Sequence, residues 1–167
     1  TYRLPKYEYT HALVPREVFD QAPEYLILGG LVFQPLVRPY LERWGAEWER
    51  RAPFQLTYLA DDDATKEKPA VVLLSQVLPD PYNIGYQDQH YRLVTRINNQ
   101  PVHTLADVRE ALKQPVDGFH VVDLVPSESA QRLVLAAGPA AEGATRRVLQ
   151  RYGIADEAFI APKPGTQ

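Results

Sequence analysis

The stretch LGGLVFQPLV, residues 28–37, constrains the fold more than any other part of the chain. It puts a Gly-Leu-Val-Phe turn directly before a short apolar strand. Successive backbone N–H groups of a glycine-led turn can converge on an anion. The edge of the strand that follows can accept an added extended segment. The turn alone is a weak signal, so the order of the elements after it decides how it is interpreted.

Alternating and continuous apolar patterns predict five strands in this order along the chain. They fall near residues 26–36, 71–78, 91–98, 119–125 and 131–135. The segment TLADVREAL, residues 104–112, predicts a helix, because Thr104 and Asp107 have the spacing of a capping box. Its apolar stripe consists of Leu105, Val108 and Leu112, and spacing alone favours three core residues over groove residues.

These elements resemble the PDZ domain of HtrA/Deg-type serine proteases. In that family a buried strand ends in a Val-Leu-Pro turn, here at 77–79, and an Ile-Asn-Gly-x-Pro-Val turn follows, here 97–102 with Asn99 in the glycine position. The segments VRPYLERWGAEW (37–48) and ATRRVLQRYGI (144–154) resemble the helical insertion and last helix of the distal PDZ domain in plant-type Deg proteases. The second of these helices is expected to stop at Gly153.

The resemblance implies a mainly β fold with helices (α+β). It is a partly open PDZ-like barrel or sandwich of five or six mostly antiparallel strands, with a helical insertion and a C-terminal helix. It also implies a peptide groove. Its carboxylate loop and first wall would be Gly30, Leu31, Val32 and Phe33, and its second wall the stripe of Leu105, Val108 and Leu112.

Three segments frame the expected domain. Residues 1–20 read as an extended N-terminal arm, because they are rich in tyrosine and proline and lack a clear period. Residues 21–156 would form the PDZ-like domain, with the helical insertion at 38–68. Residues 157–167 would be a C-terminal tail.

Composition bounds the possible partners. The chain has 167 residues, 45% of them hydrophobic, and a net charge of −3. This length suits one domain, and the dispersed basic residues argue against nucleic acid as a partner. No apolar run approaches the ~20 residues that span a bilayer, so a soluble fragment without membrane insertion is expected. The compartment is left open, with the cell envelope or periplasm among those allowed.

Trp44 and Trp48 lie in the insertion on one predicted helical face with Leu41. Two interpretations stay open for them. The tryptophans fold back onto their own domain, because tryptophan is usually well buried. Alternatively they form a partner surface, because tryptophan is a frequent interface anchor.

No catalytic or metal site is expected in this fragment. The sequence has three serines, Ser75, Ser127 and Ser129, and no nucleophile motif around them. Its four histidines lack metal-binding spacing, and Asp61 to Asp63 lack the other ligands of a calcium loop. Neither a cofactor nor a metal ion is therefore expected, and the fragment would be a non-catalytic part of a larger serine endopeptidase.

Pro35 complicates the predicted groove. If the residues at 33 and 35 offer N–H groups to the ligand side, Pro35 removes one main-chain hydrogen bond from that side. The leading hypothesis is therefore a regulatory or assembly domain of a Deg-type protease that contacts a neighbouring domain or subunit. The alternative is an active module that binds the C-termini or exposed strands of substrate proteins. A hydrolase acting alone is the third and weakest hypothesis.

Overall fold

A computed structural model describes residues 12–16, 22–128 and 130–161. In this part of the chain an open, mostly antiparallel sheet carries five short helices. The order of its strands is β7-β6-β4-β3-β2-β1-β8, with β5 paired to β4. In chain order the strands are β1 (Tyr25–Leu28), β2 (Leu31–Pro35), β3 (Val72–Val77), β4 (Arg92–Ile97), β5 (Gln100–Pro101), β6 (Phe119–Leu124), β7 (Arg132–Ala136) and β8 (Ala158–Phe159). The helices are α1 (Arg38–Leu41), α2 (Trp48–Arg51), α3 (Phe54–Thr57), α4 (Leu105–Leu112) and α5 (Pro139–Tyr152), with 3₁₀ turns at Glu42–Trp44 and Pro81–Asn83.

The predicted mixed fold, rich in antiparallel strands, is confirmed, with one change that alters the groove. The single strand predicted over 26–36 is wrong: β1 and β2 form a hairpin around the turn Gly29–Gly30. Both glycines have positive φ angles, +56° and +97°. The chain therefore reverses at a point where the apolar pattern reads as continuous.

Both faces of the sheet are covered. Val72 and Leu74 of β3 point into a cluster that α4 seals, and Leu73 points into a second cluster on the opposite face. Because successive side chains of a strand alternate between faces, β3 is buried on both sides. The second cluster is built from the insertion and from the segment around Leu13 and Val14.

Residues 12–16 belong to the segment predicted as an extended arm. Leu13 and Val14 are fully buried, and the Leu13 N–H donates to the Asp62 carbonyl at 2.9 Å. The Arg38 N–H donates to the Pro15 carbonyl, also at 2.9 Å. This part of the segment therefore packs on the insertion, while the rest of the predicted arm, 1–11 and 17–20, lies outside the described residues.

The helix caps follow the sequence closely. Thr104 caps α4, and the reciprocal hydrogen bonds with Asp107 expected of a capping box are present at 3.2 and 2.9 Å. The helix α5 ends at Gly153, whose left-handed conformation has φ +64°. The insertion differs from prediction. The predicted face carrying Leu41, Trp44 and Trp48 is broken at Gly45, and the pieces on either side are short.

The segment predicted as a tail also carries structure. Ala158 and Phe159 form β8, which pairs with the outer edge of β1. Residues 162–167 lie outside the described residues. Within the described part, none of the helices is long and apolar enough to cross a membrane.

Candidate peptide-binding groove

The turn that was expected to hold a carboxylate is tightly enclosed. A Cβ atom on Gly29 would overlap the ring of Tyr82, and one on Gly30 would overlap the backbone carbonyl of Leu78. Only glycine fits these two positions, because both the backbone angles and the space exclude a side chain. The backbone of the turn therefore lies in close contact with Tyr82 and Leu78.

Polar groups of the Gly29 backbone have partners inside the molecule. The Gly29 N–H donates to the Thr145 hydroxyl of α5 at 2.8 Å, and this bond is buried. The Asn83 side-chain amide donates to the carbonyls of Gly29 and Leu78, both at 2.8 Å. The Gly29 N–H and the Gly29 carbonyl therefore both have fixed partners inside the protein.

The strand β2 has no open edge over most of its length. Phe33 pairs with Leu26 of β1 on one side and with Leu74 of β3 on the other. An extended ligand can add only to an unpaired edge. The three apolar residues predicted as the first wall, Leu31 to Phe33, are buried in the interior of the sheet.

The strand β1 occupies the space that the predicted groove reserves for a ligand strand. It runs antiparallel to β2 and contacts α4, which was predicted as the second wall. Leu26 is only 6% exposed and lies in one cluster with Leu105 and Val108. Leu28 and Leu112 are partly buried and pack against the same cluster. The predicted groove residues therefore come together, but around a strand of their own chain.

Pro35 has a different role from the one expected. The Leu36 N–H faces β3, where it donates to the Val71 carbonyl at 2.9 Å. Because backbone groups of successive residues face opposite edges, the position of the missing Pro35 N–H faces β1. The ladder between β1 and β2 stops at the Leu26–Phe33 pair, two residues before Pro35. Pro35 therefore lies just beyond the end of the hairpin ladder, with the position of its missing N–H on the side of β1.

A buried carboxylate links the loop that follows β3 to α5, the helix that supplies Thr145. The Asp80 side chain is fully buried and accepts two hydrogen bonds from the Arg147 guanidinium, at 2.7 and 3.1 Å. These charge-assisted bonds hold the pKa of Asp80 below its ordinary value. The pair thus fixes α5 across the glycine turn.

A second, open groove lies beside the outer edge of β1. It has a volume of about 480 Å³, and its lining includes Leu26 to Leu28, Arg109 and Lys113 near the end of α4, and Glu142 near the start of α5. Its far boundary is β8. Sequence reasoning predicted the α4 wall but missed this groove, because its other side depends on the pairing of β1 with residues about 130 positions later.

The two tryptophans of the insertion pack inward. Trp48 is 7% exposed, and the Arg38 guanidinium lies over its ring at 5.1 Å. Trp44 is half-buried and makes edge-to-face contacts with Tyr40 and Tyr91, with ring centroids 5.9 and 5.1 Å apart. Burial raises the pKa of Tyr40 to about 12. The exposed aromatic pair of the insertion is instead Phe54 and Tyr58.

Two of the side chains that were weighed as catalytic candidates, His120 and Ser75, are buried in the fold. His120 is buried near Asn98, and burial lowers its pKa. The Ser75 hydroxyl donates to the Val32 carbonyl at 3.2 Å. Among the described residues, no group of three or more His, Cys, Asp or Glu side chains is placed to hold a metal ion. His11 and Ser129 lie outside the described residues.

Two residues that hold the turn, Asn83 and Thr145, were not predicted as site residues from the sequence. Asn83 does have a local sequence signal. Asp80 precedes Pro81 as the N-cap of a 3₁₀ turn, and Asn83 completes its capping box. Asp followed by Pro is a helix-start pattern that can be read directly from the sequence. Thr145 has no such signal, because its partner Gly29 is 116 residues away.

The fold is that of a PDZ domain, and the chain belongs to the PDZ domain family. The family model described as "PDZ domain" matches residues 14–158. This confirms the resemblance to the PDZ domains of plant-type Deg proteases.

The chain is similar to several proteases of Arabidopsis thaliana. It is 29% identical over 146 residues to "Protease Do-like 2, chloroplastic", covering 87% of this chain and 23% of that protein. It is 29% identical over 107 residues to "Putative protease Do-like 3, mitochondrial", covering 61% of this chain and 17% of that protein. With "Putative protease Do-like 12, mitochondrial" it shares 26% identity over 155 residues, which cover 89% of this chain and 27% of that protein.

The chain thus spans only about a quarter or less of the length of these relatives. Their names place them in chloroplasts and mitochondria, which gives no support to a periplasmic location for this chain.

Proposed function

We propose that this chain is a non-catalytic protein-interaction domain that serves as a regulatory or assembly module of a Deg-type serine protease. Two things support the link to a protease: membership of the PDZ family and similarity to proteins named Do-like proteases. In this proposal the peptidase chemistry lies in another part of the protein. The domain acts through contacts with a neighbouring domain or subunit.

The observation that carries the regulatory role is the position of β1. It pairs with the edge of β2 and contacts α4, where a bound peptide would add to a PDZ groove, and it is covalently joined to β2 by two glycines. A free peptide would have to displace an attached strand whose Leu26 is buried in the main core. The buried bond between the Gly29 N–H and Thr145 also holds the turn that joins the two strands. The alternative of an active C-terminus-binding module has less support, because β1 already pairs with the edge of β2 that a peptide would use.

The first experiment tests the groove directly. The chain is titrated with fluorescently labelled peptides from a library with hydrophobic C-termini, and the same peptides with amidated C-termini serve as matched controls. We expect no saturable binding below about 1 mM, which corresponds to about −4 kcal/mol. Micromolar binding that is lost on amidation would reject the regulatory proposal and establish the peptide-recognition alternative.

A second experiment tests the link to a protease. The reading frame that encodes the chain is extended upstream of Thr1, and the longer protein is examined by analytical ultracentrifugation with and without residues 21–156. We expect a trypsin-like domain in the longer protein and a smaller assembly when residues 21–156 are removed. A longer protein without a protease domain, or an assembly unchanged by the deletion, would contradict the proposal.

An activity-based serine hydrolase probe completes the test of the non-catalytic role. We expect the isolated chain to remain unlabelled while the longer protein is labelled. Labelling of the isolated chain would show that it carries a nucleophile of its own.

A further inference from the structure

On this side of the sheet β1 lies outside β2, and only the two-residue strand β8 pairs with the outer edge of β1. The strand β8 adds only the pairs Tyr25–Phe159 and Leu26–Ala158. One further backbone bond runs from the Ile27 N–H to the Glu157 carbonyl at 2.7 Å. Two-residue pairings at a sheet edge are weak compared with longer ladders. Beside these bonds, the Tyr25 hydroxyl donates to the Asp156 carbonyl and the Ala161 N–H donates to the Glu24 side chain, while Ile160 packs against the main core. A segment that replaces β8 must offset the loss of these contacts.

The segment that covers the edge also underfills the groove beside it. Ala158 lies opposite Leu26 and lines the groove of about 480 Å³ together with Leu28 and Leu112. The groove is open to solvent, so apolar surface along it stays in contact with water unless a side chain covers it. A methyl group at position 158 is therefore a poor match for an apolar space of this size, and a longer aliphatic side chain would bury more apolar surface there.

The charged side chains along the groove favour an acidic residue next to the aliphatic side chain at position 158. Arg109 and Lys113 of α4 line one wall, and Glu142 of α5 lies on the other. In the closed arrangement the occupant itself contributes Glu157 to this lining. Without β8, the groove walls carry two basic side chains and one acidic side chain. A segment that replaces β8 therefore gains from an acidic residue at the position of Glu157.

We propose that the outer edge of β1 is the interaction site of this domain and accepts an extended segment of a partner protein that displaces β8. The segment carries a leucine-sized aliphatic residue at the position of Ala158 and an acidic residue at the position of Glu157. The proposal rests on the function proposed above and specifies the partner. The domain would thus still recognise a strand, but one strand further out than a PDZ groove does.

A second copy of the chain is a poorer occupant than such a partner. Its β8 would place the same alanine in the same space. It would also compete with a segment that is tethered to its own domain, and tethering gives that segment an effective concentration of the order of millimolar. A partner with a longer aliphatic side chain gains packing that an exchanged copy does not.

A reversible lock tests the proposal in the full chain, which has no cysteine of its own. Tyr25→Cys and Phe159→Cys are introduced together. The Cα atoms of a hydrogen-bonded antiparallel pair such as Tyr25 and Phe159 lie about 5.5 Å apart, which is within the range that a disulfide spans. The oxidised and reduced forms of one protein then serve as matched closed and open states. Phe159 is 39% exposed, and Tyr25 is partly buried at the margin of a small core cluster.

The probes are amidated, fluorescein-labelled peptides with the sequence of residues 155–161, one unchanged and one with leucine in place of the alanine at position 158. Amidation separates this test from carboxylate capture, which is the subject of the earlier titration. We expect the reduced form to bind the leucine peptide about tenfold or more tightly than the alanine peptide, and the oxidised form to bind neither. Equal binding by the two forms, binding by neither form, or a dimer of the reduced form on ultracentrifugation would overturn the proposal.

Native-state hydrogen exchange on the unmodified chain gives an independent measurement that does not depend on the engineered disulfide. The Ile27 amide should exchange at least about 100-fold faster than the Phe33 amide, because release of β8 frees the first and leaves the second in the interior of the sheet. Equal protection of the two amides would show that β8 opens only with global unfolding and would also overturn the proposal.

Discussion

Replacement of Gly30 by alanine tests the turn that joins β1 to β2. Gly30 has φ +97°, which strains any other residue by about 1–2 kcal/mol. The new methyl group would also overlap the Leu78 carbonyl, which cannot simply move away because the Leu78 N–H donates to the Gly30 carbonyl at 2.7 Å. Overpacking of this kind adds about 1–3 kcal/mol. The total expected loss in the free energy of unfolding is about 2–5 kcal/mol.

Gly153→Ala is the matched control for this change. Gly153 also has a positive φ, +64°, but a Cβ atom there meets nothing within 4 Å. Urea denaturation should therefore give a loss of about 1–2 kcal/mol for Gly153→Ala, which is the backbone strain alone. If Gly30→Ala costs no more than Gly153→Ala with equal m-values, the close approach at the turn is not rigid. The account of a fixed, tethered strand would then be wrong.

Three further changes probe the surroundings of the turn. Thr145→Val should cost about 1–3 kcal/mol in urea denaturation and speed exchange of the Gly29 amide, because it leaves a buried donor unpaired; an unchanged exchange rate would contradict this. Asp80→Asn should destabilise the protein at neutral pH, and the difference from the unchanged protein should shrink progressively as the pH falls below about 4. The folded-state pKa of Asp80 is lowered, so its stabilisation is present above the unfolded pKa and disappears as the pH falls through the folded one; a difference that does not change with pH would contradict this. Trp48→Ala should cost about 3–5 kcal/mol, whereas Phe54→Ala, at an 81% exposed side chain, should have almost no effect; a well-folded Trp48→Ala protein would restore the idea that Trp48 forms a partner surface.

Elements with short-range signals could be predicted from the sequence. The capping box of α4 and the left-handed stop of α5 at Gly153 each depend on residues within a few positions of one another. The turn at Asn98 and Asn99 also follows from local chemistry. Both residues have positive φ angles, +49° and +65°, which asparagine tolerates better than most residues.

The closure of the groove could not be predicted, because it depends on which strand lies beside which. An apolar run from 26 to 36 is equally compatible with one strand and with a hairpin, and only the close approach of Tyr82 and Leu78 makes the double glycine a necessity. The short strand β8 carries no alternating pattern long enough to be recognised. Its register is fixed by a partner far away in the sequence.

A ligand strand that belongs to its own receptor changes how the groove can evolve. In an ordinary peptide-binding domain, a change in the groove wall must be matched by a change in another protein, encoded elsewhere. Here both sides of the contact, Leu26 of β1 and Val108 of α4, lie in one reading frame and are inherited together. We therefore expect family members that share the hairpin to show paired substitutions between β1 and α4. Substitutions that follow changes in partner proteins should be confined to residues at the outer edge of the sheet.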